Sequence, residues 1–118
     1  MTWEEVRALA LSFPGVEEGT SYGTPGFKAG GKFFTRLRPA DQSLVLMEVG
    51  FDEREMLMEA APETFHMTPH YKDYPAVLAR IASIDPGSLR NLLERRWRKV
   101  TSKKLQKAWD AERTGADS

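Results

Sequence analysis

The sequence predicts an α+β fold of two layers, an antiparallel five-stranded sheet with helices packed mainly on one face, and three observations carry that expectation. Gly30 and Gly31 stand alone between two β-rich aromatic runs, the pattern of a tight hairpin. Ser43 to Val49 alternates in the period of a strand, while apolar residues near both chain ends recur at helical spacing. At 118 residues the chain supports one core. Such a core buries roughly two thirds of the unfolded surface. No linker or repeat divides it, so a single domain over residues 1–113 is expected, followed by a polar tail at 114–118 expected to be mobile.

Thr2 and Glu5 form a capping box, and Trp3, Val6, Leu9, Ala10 and Phe13 share a face, which predicts a helix over 3–13 stopped by Pro14-Gly15. Tyr22-Gly23-Thr24-Pro25-Gly26 holds too much Gly and Pro for a helix or a central strand and reads as an ordered turn. Strands at 27–29 and 32–37 follow, joined by Gly30-Gly31, because glycine tolerates the positive φ of a two-residue hairpin turn. That register sets Phe27 opposite Phe34 and Lys28 opposite Phe33. Residues 38–42 form a turn, and 43–49 is the third strand, with Val45, Met47 and Val49 on one face.

Gly50 ends that strand, and Asp52 with Glu55 three positions on caps a short helix limited by Pro62. Residues 64–67 read as a fourth strand. The loop 68–75 contains two prolines, which exclude a continuous helix. Residues 76–84 fit a strand or two helical turns, and the flanking prolines and short length favour the strand. Asp85-Pro86 starts a helix with Leu89, Leu92, Leu93, Trp97 and Val100 on one stripe. Thr101-Ser102 interrupts it before a last amphipathic segment marked by Leu105, Ala108 and Trp109.

Lys plus Arg and Asp plus Glu number 17 each, so a polyanion site must be a local patch and not a global field. The absence of cysteine excludes disulfides and thiolate zinc sites, and with no cleavable leader in view it suggests a reducing cytosol and a cytoplasmic protein. No run reaches the roughly 20 apolar residues that span a bilayer, so no membrane partner is expected. His66 and His70 are four apart, but Pro69 lies between them in a predicted strand and loop, and no metal is expected there. No nucleophile stands in an elbow-type glycine context, and the Gly-rich stretch lacks the phosphate-loop lysine. An enzyme and a cofactor are both unexpected.

Arg90, Arg95, Arg96, Arg98, Lys99, Lys103, Lys104 and Lys107 crowd the C-terminal helices with Glu94 as acidic companion. Lys28, Lys32, Arg36 and Arg38 form a second cationic group on the hairpin that is placed to flank the same groove and neutralise phosphates. The plain alternative is a solvated helix face offset by Glu4, Glu5, Glu17 and Glu18. Tyr22, Phe27, His70, Tyr71 and Tyr74 are candidates to line a cleft that stacks bases or grips a peptide, against the alternative that they are core and loop packing.

Leu11-Ser12-Phe13-Pro14-Gly15-Val16-Glu17-Glu18, Tyr22-Gly23-Thr24-Pro25-Gly26-Phe27-Lys28, Gly31-Lys32-Phe33-Phe34, Pro69-His70-Tyr71 and Asp85-Pro86 with its leucine-rich helix together resemble the MmcQ/YjbR-like family over nearly the whole chain. The resemblance implies the order helix, three strands, helix, two strands and C-terminal helices, related to secretion-chaperone-like and frataxin-like architectures. It also implies a double-wing DNA-binding-like protein with hairpins as wings, a label that rests on shape, and shape alone does not give function. The chain departs from the family pattern at Ala76, where relatives often carry an aromatic opening the fifth strand. The resulting expectation is a monomeric, non-enzymatic DNA-binding-like module using Lys28, Lys32, Arg36, Arg38, Arg95, Arg98 and Lys99. The alternative is a chaperone-like protein or peptide interaction module using the same cleft.

Overall fold

A computed structural model describes residues 1–21 and 23–116. The first helix, α1 (Trp3–Leu11), starts from the expected capping box: the Thr2 side chain accepts from the Glu5 amide and the Glu5 carboxylate accepts from the Thr2 amide. It buries Val6 and Ala10, which the helical spacing had placed on one face.

Six strands follow, not five. The additional one is β1 (Val16–Ser21), which pairs antiparallel with β2 (Thr24–Ala29) from Val16 opposite Ala29 to Ser21 opposite Thr24. Thr24, Pro25 and Gly26, read as a turn, are therefore strand, and Gly23, at φ +76°, lies in the short connection. Pro25 is tolerated because it falls near the start of β2, opposite Thr20 of β1 and before the pairing with β3 begins at Gly26. Tyr22 lies outside the described residues.

The Gly30-Gly31 turn behaves as predicted: both residues take positive φ, +58° and +79°, and β2 continues into β3 (Lys32–Arg38). Ala29 pairs with Lys32 and Lys28 with Phe33, but Phe27 then pairs with Thr35 and not with Phe34. Phe34 is the extra residue of a β-bulge. Its ring is fully buried, edge-on to Phe13 at 5.8 Å, so packing overrides the register counted from the turn.

β4 (Ser43–Met47) sends Leu44 and Leu46 into the helix-side core, and Val49 joins them because Glu48 at φ +65° breaks the alternation. Val45 and Met47 thus do not share a face with Val49, contrary to the strand pattern. α2 (Phe51–Ala60) begins at Gly50 with no side-chain cap, and Asp52 lies in its first turn, where a carboxylate still favours the helix dipole. β5 is reduced to Phe65–His66, a single 3-10 turn spans Pro69–Tyr71, and β6 (Ala76–Arg80) is shorter than the pattern suggested. The strand order is β1-β2-β3-β4-β6-β5, with every pairing antiparallel.

α3 (Pro86–Val100) opens as expected, with Asp85 accepting from the Ser88 amide and Pro86 at the first helical position. Leu89, Leu92, Leu93 and Trp97 are buried, and the Trp97 indole N–H donates to the Pro14 carbonyl at 2.8 Å. α4 (Lys103–Ala116) extends beyond Thr114, where a polar tail was expected to begin, and Trp109 closes on the Trp97 ring at 4.7 Å. One core thus lies between the sheet and the helices, joining Val6, Phe13, Phe27, Phe34, Leu44, Leu46, Val77, Leu89 and Trp97. Among the described residues the α-helices contact the sheet from the core side, and the 3-10 turn Pro69–Tyr71 lies by Phe33 and Arg36 of β3.

Candidate functional site

Alternation along a strand fixes what the open side of the sheet, away from the core, presents. Phe27, Ala29 and Phe34 enter the core, so Lys28 and Phe33, cross-strand partners, face the other way. Phe33 and Arg36 are three apart and in a regular strand would point to opposite sides. The bulge at Phe34 lets both line one hollow of about 190 Å³ with Val45, Met47, His70, Tyr71 and Tyr74. Phe33 also borders a second hollow of about 190 Å³ that includes Glu17, Glu18, Thr20, Gly26 and Lys28. Phe33 is shared by both hollows, and the first of them, walled by the segment from His70 to Tyr74, is a groove on the open sheet face.

The far wall of the groove is the segment from His70 to Tyr74. Its rings form a cluster: His70 is edge-on to Tyr71 at 4.7 Å, and Tyr74 lies 6.3 Å from each. Arg36 donates to the Tyr71 hydroxyl at 2.9 Å, tying floor to wall. Of the expected cleft residues, His70, Tyr71 and Tyr74 are brought together. Phe27 borders the second hollow, but it is buried with its ring against Trp3 at 5.8 Å, so Phe33 is the hairpin aromatic that lines the groove. Ala76 is fully buried, and Tyr71 and Tyr74 line the groove with Phe33 and His70.

What fixes this wall is a residue that the sequence did not single out. Arg54 of α2 is 5% exposed, and its guanidinium donates to four carbonyls: Tyr71 at 3.1 Å, Lys72 at 2.9 Å, Tyr74 at 3.0 Å and Ala76 at 3.1 Å. Its other side lies over the Phe51 ring, 5.0 Å from the centroid. The loop has little regular structure, and a buried fork of donors takes up backbone acceptors that would otherwise lack partners. Among the three acids Asp52, Glu53 and Glu55, Arg54 reads as one more surface charge. The two prolines in a segment with unmet backbone groups were the available hint.

The cationic residues divide by type. Arg95 makes a bidentate pair with Glu53 at 2.6 and 3.1 Å, which holds its proton more firmly than usual. Arg98 bridges Asp110 and Glu94, and those two carboxylates likewise raise its pKa, Asp110 most. Arg96 joins Glu48 to the Phe33 carbonyl, and Arg38 pairs with Asp41 at 3.1 Å. Four of the seven candidate phosphate contacts, Arg36, Arg38, Arg95 and Arg98, thus hold partners inside the molecule. Lys28, Lys32 and Lys99 are exposed and, among the described residues, have no ion-pair partner. The same holds for Lys103, Lys104 and Lys107.

The fold brings the lysine-bearing segments to one end. The Gly30 amide donates to the Gly15 carbonyl at 3.3 Å, and a Cβ at Gly30 would meet the Val100 carbonyl at 2.9 Å. The hairpin tip therefore sits on the α3–α4 junction, with Lys32 on one side of that contact and Lys99, Lys103 and Lys104 on the other. Lys28 lies on the open face of the same hairpin.

His66 and His70 have separate surroundings. The His66 Nε2 lies 2.8 Å from the Ser43 hydroxyl and 3.7 Å from Asp41. Burial, aided by the Arg80 charge, holds its pKa below the ordinary value, while Asp41 pulls the other way. Ser43 is fully buried, which leaves no room for a substrate at its oxygen. Among the described residues no cluster of three or more His, Asp or Glu side chains is placed to hold a metal, and no helix is long and apolar enough to cross a membrane.

A family model described as YjbR matches residues 11–99 of the chain. The matched span runs from the end of α1 to the last turn of α3 and so includes the hairpin, the groove and its wall. Neither the curated proteins nor the solved structures contain a match.

Proposed function

The chain belongs to the YjbR family, and from that premise we propose that it is a small, non-enzymatic nucleic-acid-binding module that holds phosphates with lysines grouped around its hairpin tip. The observation that carries this reading is the division of the cations. Nine of the ten arginines have partners within the molecule, whereas Lys28, Lys32, Lys99, Lys103, Lys104 and Lys107 are exposed and unpaired among the described residues. A lysine is a flexible point charge, suited to a phosphate and unsuited to the bidentate reading of a base edge. Contact through such a set is electrostatic and independent of sequence. The neutral net charge does not oppose it, because α2 carries Asp52, Glu53, Glu55 and Glu59 while the basic residues concentrate on α3 and α4.

Duplex binding followed by fluorescence anisotropy across a salt series tests the reading. With about three to four phosphates neutralised, the log-log slope is expected near −3 to −4, and Lys32→Gln, Lys99→Gln and Lys103→Gln should each flatten it by about one unit. No binding of duplex or of single strand at low salt, or a slope indifferent to all three substitutions, defeats it.

The second reading, a protein or peptide interaction module, draws support from Phe51, Met56 and Tyr74, which are large, apolar or aromatic, and 51 to 67% exposed. Loss of a partner on Met56→Ser with nucleic-acid binding unchanged would favour that reading.

A further inference from the structure

We infer that the groove on the open sheet face receives an unpaired nucleobase, stacked on Phe33 and walled by Tyr74 and His70, so that the preferred ligand is single-stranded nucleic acid. This inference rests on the phosphate-binding reading and adds to it a site that the lysines alone do not supply.

The groove suits a flat ring that can stack on aromatic side chains. Its floor is Phe33, Val45 and Met47, its wall is His70, Tyr71 and Tyr74, and the hollow these residues share with Arg36 contains no carboxylate. Its volume of about 190 Å³ is below the roughly 300 to 1,000 Å³ of a drug-sized ligand's pocket, which suits one planar ring system. Phe33 remains partly exposed although it lies centrally in the sheet, and its direct cross-strand neighbour is the exposed Lys28. Side chains opposed in this way stand about 5 Å apart at Cβ. A base on Phe33 therefore places its own phosphate within reach of Lys28, which stands between Phe33 and its β1 partner Glu17. Aromatic platforms beside cations are the general means by which proteins grip single strands, because every base offers a π-face.

The other occupants fit less well. A base within a duplex cannot leave its stack to enter the groove without unpairing. An extended peptide gains most of its affinity by adding a strand at a free sheet edge, whereas the groove lies over β3 and β4, which are interior strands joined at Leu37–Leu44 and Arg38–Ser43. Arg54 keeps the wall in place by holding the carbonyls of Tyr71, Lys72 and Tyr74, so the site exists before any ligand arrives.

The test compares three probes on the full chain by anisotropy at one low salt concentration: an oligo(dT) strand, an abasic strand of the same length and charge, and a duplex of equal length. The expected order places oligo(dT) above the abasic strand, with Phe33→Ala and Tyr74→Ala each weakening oligo(dT) roughly 5- to 100-fold while leaving the abasic strand unchanged. Phe33→Leu, which retains apolar bulk without a ring, guards against a folding defect and should also lose the preference. Equal binding of oligo(dT) and the abasic strand, or a preference that survives all three substitutions, overturns the base site yet leaves the lysine reading standing. If the chain binds none of the three probes, both fall. Binding of an aromatic peptide that is lost on Phe33→Leu, in a chain indifferent to oligo(dT), would assign the groove to a protein partner and overturn the inference.

Discussion

At the residue scale the decisive side chain is Arg54, and its weight follows from counting acceptors. One buried guanidinium serves four main-chain carbonyls, and a hydrogen bond from a charged donor contributes about 1.5 to 3 kcal/mol, so the set outweighs the desolvation of one cation. Arg54→Met should lower the unfolding free energy by about 3 kcal/mol or more in a urea titration. Arg54→Lys should recover little of this, because a point charge on a flexible stem cannot span carbonyls contributed by four residues. A loss under about 0.5 kcal/mol would mean that the loop holds itself. None of this was legible beforehand, since the acceptors lie 17 to 22 positions away on irregular backbone. The exchange of Phe27 for Phe33 at the groove has a simpler origin. Strand alternation allowed either ring to be the buried one, and only the docking of α1, with Trp3 against Phe27, decides it.

At the scale of elements, signals confined to a few neighbouring residues were read correctly. The Thr2–Glu5 box, the Gly30-Gly31 turn and the Asp85-Pro86 start are local chemistry, and each defines the element it heralds. β1 was missed because Val16–Ser21 holds two glutamates and a glycine, poor strand formers that pair here because β2 offers an edge. Those same acids suit an edge strand, since charge discourages further pairing. The hairpin tip supplies a test of how the elements fit together. Gly31→Ala meets no atom within 4 Å and carries only the left-handed strain, about 1 to 2 kcal/mol, whereas Gly30→Ala must also displace the Val100 carbonyl. Thermal unfolding should rank Gly30→Ala clearly below Gly31→Ala. Equal midpoints would show that the hairpin tip is not seated on the α3–α4 junction, and the gathering of lysines there would lose its basis.

At the scale of the whole molecule, composition conceals an arrangement. The balance of 17 cations and 17 anions is visible in the sequence, but the pairing of most arginines within the molecule is not, because several pairs are long-range: Arg95 with Glu53 is 42 residues apart and Arg96 with Glu48 is 48. This pairing separates two consequences that charge removal would otherwise mix. Arg95→Gln and Arg98→Gln take away pairs linking α3 to α2 and to α4, exposed contacts of a kind that adds little to stability. They should lower thermal stability slightly and leave the salt slope of nucleic-acid binding where it was. Lys99→Gln, one residue beyond Arg98 on the same helix, should do the reverse, flattening the slope by about one unit with the melting midpoint unchanged. Melting curves and salt-dependent anisotropy on the same three variants decide the matter. A slope flattened equally by arginine and lysine substitutions would mean that ligand phosphates compete successfully with Glu53, Glu94 and Asp110. The internal pairs would then be part of the binding surface, opened on contact, and the division of labour between the two cation types would fail.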